Sequence, residues 1–265
     1  MKRMNRILGL VLFLVLFEAC STVPIIGRKQ LSLLPESQMV SLSLTSYREF
    51  LDSSVVITKG DPVKMVKNTG SKISASVMKF LRDNGLENRA SAFSWEFNLV
   101  EKPDINAWCM PGGKVVFYSG ILPVCLNEAG VATVMGHEIA HAVAQHGNER
   151  MSQGLIAQLG GMALDLAIQN EPEQTRNIFL NAYGIGSQLG VILPYSRKHE
   201  YEADKLGLIF MSMAGYDPSE ALRFWERMAA LGGTPVPEFL STHPLTEKRI
   251  EELRNYLPEA LKYKP

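Results

Sequence analysis

Residues 134–150, VMGHEIAHAVAQHGNER, decide how this chain is read. They contain His137-Glu138-Ile139-Ala140-His141, an H-E-x-x-H word. Side chains four residues apart stack on one face of a helix. Two imidazoles can therefore reach one tetrahedral Zn²⁺ from a single turn. Glu138 sits about 100° around the helix, placed to hold a water at the ion without ligating it. The flanks are helical in character: Val131, Val134, Ile139, Ala140, Ala142 and Val143 are apolar, and no proline intervenes. The bland alternative is a buried helix whose histidines bond to backbone or solvent, so a third ligand has to decide.

The chain has 265 residues, enough to bury a core without staples. Lys+Arg and Asp+Glu are both 27, which leaves no basic field for nucleic acid. Residues 1–20 read as a signal peptide rather than fold. Lys2, Arg3 and Arg6 precede an unbroken apolar run from Ile7 to Phe17, and Ala19-Cys20 resembles a bacterial lipoprotein cleavage site. Cys20 would then carry the lipid that holds the protein on a membrane of the bacterial cell envelope, facing the periplasm; an uncleaved N-terminal anchor is the alternative. Cys109 and Cys125 have no metal-binding spacing, and whether they pair is open.

Residues 21–34 read as an extended leader and 35–265 as one catalytic domain. Helices are expected over 38–51 and 63–81, the second capped by Asp61 with Pro62 at its first turn. Residues 52–60 read as loop. The period then changes: Phe93, Trp95, Phe97 and Leu99 alternate with polar residues, as in a half-buried strand. Residues 106–110 and 114–118 flank Pro111-Gly112-Gly113 as strand, turn and strand. The active helix spans 126–146. Residues 152–169 continue helical but are too short to span a bilayer, and a further helical region covers 173–193. Asp217 is expected to cap 218–231, and a short last helix covers 246–256. The fold class is α+β, mainly helical, with a small sheet beside the HExxH helix.

The third ligand lies in residues 195–207, YSRKHEYEADKLG. Glu200 and Asp204 are again i and i+4. A carboxylate on a second helix completes a His-His-Glu zinc set and leaves a fourth position open. An Asp one turn on can accept the free N–H of a ligating histidine. Here the residues resemble a known family. H-E-x-x-H followed by S-R-x-x-E-x-E-A-D-x-x-G is similar to the zinc endopeptidases of the HtpX-type membrane protease and the CAAX prenyl endopeptidases. That family includes the mitochondrial inner-membrane stress protease and small periplasmic lipoprotein members. TVPIIGRKQLSLLPES, NAWCMPGGKVVFYSGIL and STHPLTEKRI match in order as well.

The resemblance implies a zincin-type domain of the Glu-ligated class, with one Zn²⁺ held by His137, His141 and Glu200. Glu138 is then the general base and Asp204 the residue that orients a ligand. Glu202 is left as an ion-pair or capping residue, and Arg197 and Lys198 as surface. His146 stands one residue short of a third-histidine pattern and reads as a helix C-terminal residue. His199 faces away. His243, in the T-H-P…R-I element, either stabilises the oxyanion or latches the open position as a fourth ligand. Substrate is expected to lie extended along Asn106, Ala107 and Trp108, adding a strand to an edge formed by 106–110 or 114–118. The expected partners are unfolded polypeptides of the cell envelope, and the membrane through the N-terminal lipid. A second reading keeps the zinc site but makes the protein an assembly factor or chaperone. No long helical-repeat module is expected after residue 256.

Overall fold

The structure, a computed structural model, describes residues 20–188, 193–231 and 236–265. They divide into two compact units, one from the described residues of 1–36 and 145–198, the other from those of 37–144 and 199–265.

The larger unit is built on a four-stranded sheet of β3 (Val56–Ile57), β4 (Glu96–Val100), β5 (Ala107–Met110) and β6 (Lys114–Tyr118), in the order β3-β4-β6-β5. β4 and β6 run parallel, and the other pairs are antiparallel. β6 reads KVVFY with no polar alternation, and its last four residues are all buried. A strand covered on both faces needs that continuous apolar run. One cover is α1 (Glu36–Asp52), whose Tyr47 packs on Val100, Val116 and Tyr118 with Phe50, Trp108 and Met110 around it. The other is α2 (Asp61–Asp83). It seats the Phe97 ring against Gly70, where a Cβ would stand 2.4 Å from the ring. Gly112 and Gly113 close the β5–β6 turn at φ +85 and +84. Both values lie in the region that favours glycine.

A short helix, α3 (Glu87–Ser91), precedes β4, and α4 (Leu122–Cys125) follows the sheet. Then come α5 (Glu128–Val143), α6 (His146–Ala167), α7 (Glu173–Ser187), α8 (Leu193–Met213), α9 (Glu220–Ala230), α10 (Glu238–Thr242) and α11 (Glu247–Leu261). α9 buries Ala221, Phe224, Trp225 and Met228 at helical spacing. Thr246 caps α11 by accepting the Arg249 amide hydrogen at 3.2 Å.

In the smaller unit, β1 (Cys20–Thr22) and β2 (Lys29–Leu31) form an antiparallel hairpin. Arg28 ties it to α6 by a two-pronged ion pair with Glu149, at 2.8 and 2.7 Å. Ser152 accepts the Leu33 amide hydrogen, and Asn148 donates to the Leu34 carbonyl. α6 and α7 pack through Gly160, where a Cβ would stand 2.1 Å from the Tyr183 hydroxyl. That hydroxyl donates to the Ala157 carbonyl at 3.0 Å.

The mainly helical α+β class with a small sheet beside the HExxH helix is the one adopted. Several boundaries differ from expectation. The leader folds back as the β1–β2 hairpin instead of running extended. The expected loop 52–60 contains β3, which gains its hydrogen bonds from β4, a partner remote in sequence. Asp61 is inside α2, and Gly60 holds the capping position with no side-chain bond. The active helix stops at Val143, because Gln145 adopts φ +57 and starts α6. α11 runs through Pro258 to Leu261. The segment before residue 20 expected to be a signal peptide, and the Cys20 side chain expected to be lipidated, lie outside the described residues. Among the described residues no helix is long and apolar enough to cross a membrane.

Candidate metal centre

α5 begins at Asn127, whose side chain accepts the amide hydrogens of Ala129 and Gly130 at 2.9 and 3.1 Å. Helix starts leave such donors orphaned unless a cap takes them. From Gly130 to Val143 every residue is buried. His137, Glu138 and His141 therefore sit in an apolar, low-dielectric setting, where polar groups must find partners.

α8 meets α5 at two glycines. A Cβ on Gly136 would stand 3.0 Å from the Gly207 carbonyl oxygen, and one on Gly207 3.1 Å from the His137 amide nitrogen. With no side chains between them the backbones touch. Glu200 and Asp204, up to two turns before Gly207, then reach the His137 ring.

Four donor groups converge: His137, His141, Glu200 and His243, with ligand atoms all within 4.8 Å of one another. His137 Nε2 lies 3.2 Å from His141 Nε2 and 3.2 Å from His243 Nδ1. Glu200 carboxylate oxygens lie 3.3 Å from His137 Nε2, 3.4 Å from His141 Nε2 and 3.0 Å from His243 Nδ1. A tetrahedral zinc with ligand bonds of about 2.0–2.1 Å needs ligand atoms about 3.3 Å apart. The separations that involve His137 or Glu200, 3.0–3.4 Å, fit that ion. Three imidazole nitrogens facing one carboxylate at these distances is a donor set suited to zinc.

Behind the donors, His137 Nδ1 lies 3.0 Å from Asp204 Oδ1. Arg249 grips the same carboxylate through Nε and Nη2 at 2.5 and 2.9 Å. Its Nη1 lies 3.1 Å from Glu200 Oε2 and donates to the His243 and Pro244 carbonyls at 3.3 Å. The guanidinium stacks 4.0 Å above the Trp225 ring. This cation is 1% exposed. A buried charge needs such pairing and hydrogen bonding to be tolerated.

The charges act on one another. Burial opposes a charged His137, but Asp204 and Glu200 outweigh it and raise the imidazole to about 9. Burial likewise opposes ionised Glu200, and His141 and His243 outweigh it, holding the carboxyl well below its usual range. For Asp204, Arg249 and His137 overcome burial and lower it.

His243 follows α10, and its amide donates to the Phe239 carbonyl at 2.8 Å. Phe239 donates its own amide hydrogen to Ile105 O at 3.1 Å, which pins α10 to the start of β5. The Phe239 ring lies 4.7 Å from His243 and stacks on Trp225. His243 Nε2 stands 3.3 Å from Glu138 Oε1. One imidazole thus faces the donor cluster with one nitrogen and Glu138 with the other.

Among the described residues β5 is an edge strand, and β6 is interior, so the second expected edge, 114–118, is corrected. The Tyr118 amide donates to Asn106 O. With that register, Ala107 and Cys109 turn their amide groups outward. The Ala107 N–H is taken by Asn106 Oδ1 at 2.9 Å. Trp108 points to the other face, edge-on to Tyr47 and Phe50.

Other readings change. His146 is the first residue of α6 and fully buried, not at a helix C-terminus. Glu202, expected as an ion-pair or capping residue, is buried at 5% exposure. Arg197 and Lys198 are exposed as expected. Cys109 and Cys125 are both free thiols. The positions of Arg249, Trp225 and Phe239 around the donors were not legible. Only the closeness of Arg249 to His243 in the T-H-P…R-I element hinted at one of them.

Comparison with known proteins places these features in context. The family model "Peptidase family M48" matches residues 69–257. The mitochondrial metalloendopeptidase OMA1 of Schizosaccharomyces pombe is 41% identical over 64% of this chain and 49% of its own length. Human metalloendopeptidase OMA1, mitochondrial, is 31% identical over 96% of this chain and 49% of its own. The beta-barrel assembly-enhancing protease of Escherichia coli K12 is 30% identical over 61% and 34%. The chain spans about half the length of the OMA1 relatives. These mitochondrial relatives overturn the expected lipid-anchored location in a bacterial envelope. The leader pattern misled because a short basic-apolar N-terminus is common to several export signals.

Proposed function

This chain belongs to peptidase family M48, and from that premise we propose that it is a zinc-dependent endopeptidase acting on unfolded or misassembled polypeptides. The observation that carries the reading is the convergence of four donor groups, with 3.0–3.4 Å separations around His137 and Glu200 and the Glu138 carboxylate beside them. His137, His141 and Glu200 hold the ion. When bound, zinc supplies Lewis acidity for activating water and polarising the scissile carbonyl. Glu138 takes the proton of the attacking water on a carboxylate oxygen and delivers it to the leaving amine nitrogen. Asp204 accepts the Nδ1 proton of His137, which leaves the Nε2 lone pair aimed at the ion. Arg249 keeps Asp204 ionised and in place.

Substrate lies extended against the outward Ala107 carbonyl and the outward Cys109 amide group. A strand read through its backbone tolerates many side chains, which suits unfolded chains. Cys109→Pro removes that N–H donor and is expected to abolish cleavage with zinc still bound. Unchanged turnover in that variant would count against the binding mode.

Zinc analysis with casein digestion tests the chemistry. The wild-type chain is expected to hold one zinc and digest casein. Glu138→Gln keeps the metal and loses about 10²- to 10⁴-fold in rate. A wild-type chain without zinc affinity would sink the reading.

His243 Nδ1 stands at the fourth corner, and this favours a second reading in which the resting site is latched and the protein acts chiefly as an assembly factor. The comparison is whether Glu138→Gln protects an unfolding client from aggregation as well as wild type does. In the peptidase reading, His243→Ala weakens zinc binding but does not abolish cleavage. Withdrawing His243 frees its Nε2 to meet the developing oxyanion.

A further inference from the structure

In the larger unit, α1 carries Val40, Leu44, Tyr47 and Leu51 at the spacing of one helical stripe. Tyr47 reaches the core and is 2% exposed. The other three stay half-buried. They form the floor of a cavity of about 370 Å³ that lies between α1 and the β5–β6 turn. Pro111 and Gly112 supply its opposite wall. A Cβ on Gly112 would stand 3.0 Å from Val40 Cγ1, so the turn rests on the helix at Val40. The volume lies within the range of pockets that hold ligands, about 300–1,000 Å³.

The charges lining this cavity are unequal. Lys114 donates to the Ser94 carbonyl at 2.6 Å and pairs with Glu96 at 3.5 Å. Those two charges answer each other. Arg48 lines the same cavity, one turn from Leu44 and Leu51, and is exposed. It has no ion-pair partner among the described residues. An aliphatic floor with one unmatched cation at its margin complements an aliphatic side chain that has a carboxylate next to it.

We propose that the cavity is a subsite for the substrate polypeptide, taking a bulky aliphatic residue with an acidic residue beside it. This rests on the endopeptidase reading, with substrate extended along β5. β5 ends at Met110, and Pro111 is both the next residue and a wall of the cavity. Trp108 and Met110, on β5, pack with Tyr47, which also lines the cavity. The substrate edge and the cavity are thus continuous. At about 3.3 Å per residue, a strand laid along β5 from Ala107 comes level with Pro111 about four residues later. Added strands gain affinity from backbone pairing and specificity from side-chain pockets. The β5 edge supplies the first, and the α1 cavity supplies the second, at a distance from the scissile bond.

Fluorescence anisotropy of labelled peptides on the zinc-loaded Glu138→Gln chain tests the proposal, since binding is then read without cleavage. The peptides share one extended core and carry Leu-Glu, Leu-Lys or Gly-Glu beyond either end. At one end, Leu-Glu is expected to bind about tenfold more tightly than Gly-Glu and about two- to fivefold more tightly than Leu-Lys. Adding Arg48→Glu should invert the second preference, so that Leu-Lys binds better, with zinc content and thermal midpoint unchanged. Adding Leu44→Asn should erase the first. Equal binding of the three peptides at both ends overturns the subsite and leaves the endopeptidase reading standing. So does an Arg48→Glu chain that still prefers Leu-Glu. A chain that binds no core peptide, while the wild type digests casein, overturns the β5 binding mode and the subsite with it. Casein left intact by a zinc-loaded wild type is the separate failure of the endopeptidase reading itself.

Discussion

Gly136 and Gly207 face each other so closely that a methyl group at either position would make the opposite backbone give by a few tenths of an ångström. A Cβ on Gly136 would stand 3.0 Å from the Gly207 carbonyl oxygen, and one on Gly207 3.1 Å from backbone atoms of Gly136 and His137. The H-E-x-x-H turn and the E-x-x-x-D turn lie on helices far apart in sequence. Only this bare crossing lets the carboxylates of one reach the imidazoles of the other.

Gly207→Ala is therefore expected to push α8 away from α5 and cost about 1–3 kcal/mol, the range for an overpacked core. Zinc affinity should fall further than stability alone accounts for, because Glu200 and Asp204 retreat together. Chemical denaturation of the metal-free chain, beside a competitive zinc titration, separates the two effects. An alanine variant with wild-type zinc affinity would show that the crossing is not what sets the donor spacing.

Asp204 and Arg249 are expected to respond differently. Asp204→Asn keeps the shape and weakens the hold on the His137 N–H, lowering zinc affinity about 10- to 100-fold. Arg249→Met strands a buried carboxylate and should destabilise the fold by about 3–5 kcal/mol. Equal zinc affinities in wild type and Asp204→Asn would remove Asp204 from the ligand-orienting role.

Protons and zinc compete for His137. In the metal-free chain its pKa is raised from 6.5 to about 9. A raised folded-state value adds stability that is complete below the unfolded value and is lost as pH climbs through the folded one. The metal-free thermal midpoint should thus fall between pH 6.5 and 9 on this account. The increment produced by zinc should grow over the same interval, because the ligand must shed its proton. Proton release on zinc addition at pH 7, followed with an indicator dye, gives an independent reading. A zinc increment that shrinks with rising pH would contradict it.

Both internal thiols should react poorly in the folded chain. Burial pushes Cys125 up to about 12, and burial with the nearby Glu138 charge lifts Cys109 well above its usual value. Thiolates are the reactive form. Iodoacetamide at pH 8 should leave buried Cys125 unmodified by peptide mapping until denaturant is added, and label half-buried Cys109 only slowly. Rapid labelling of Cys109 in the native state would mean that β5 opens readily.

Much of the donor set was legible, because each half of it is local. His137 and His141, and Glu200 and Asp204, are pairs whose shared face follows from helical spacing alone. The strand-turn-strand of β5 and β6 was equally readable, since alternation and two glycines announce it. What escaped were features made by distant partners. β3 has too few residues to signal itself and exists through its hydrogen bonds to β4. Glu202 and His146 carry polar side chains that composition assigns to the surface, yet both are buried. Arg249 reads as an ordinary helix-surface cation until α11 is docked against Trp225 and Asp204.

By itself the sequence determined the local geometry: which faces carry imidazole, which carry carboxylate, and where the chain turns. Those depend on backbone periods that any short stretch obeys. The tertiary structure alone decided how near the two helices approach, which cation stands behind Asp204, and that His243 Nδ1 joins the donor cluster while its Nε2 faces Glu138. Such facts are set by packing between elements far apart in the chain, and packing depends on shape complementarity that no repeat in the sequence encodes.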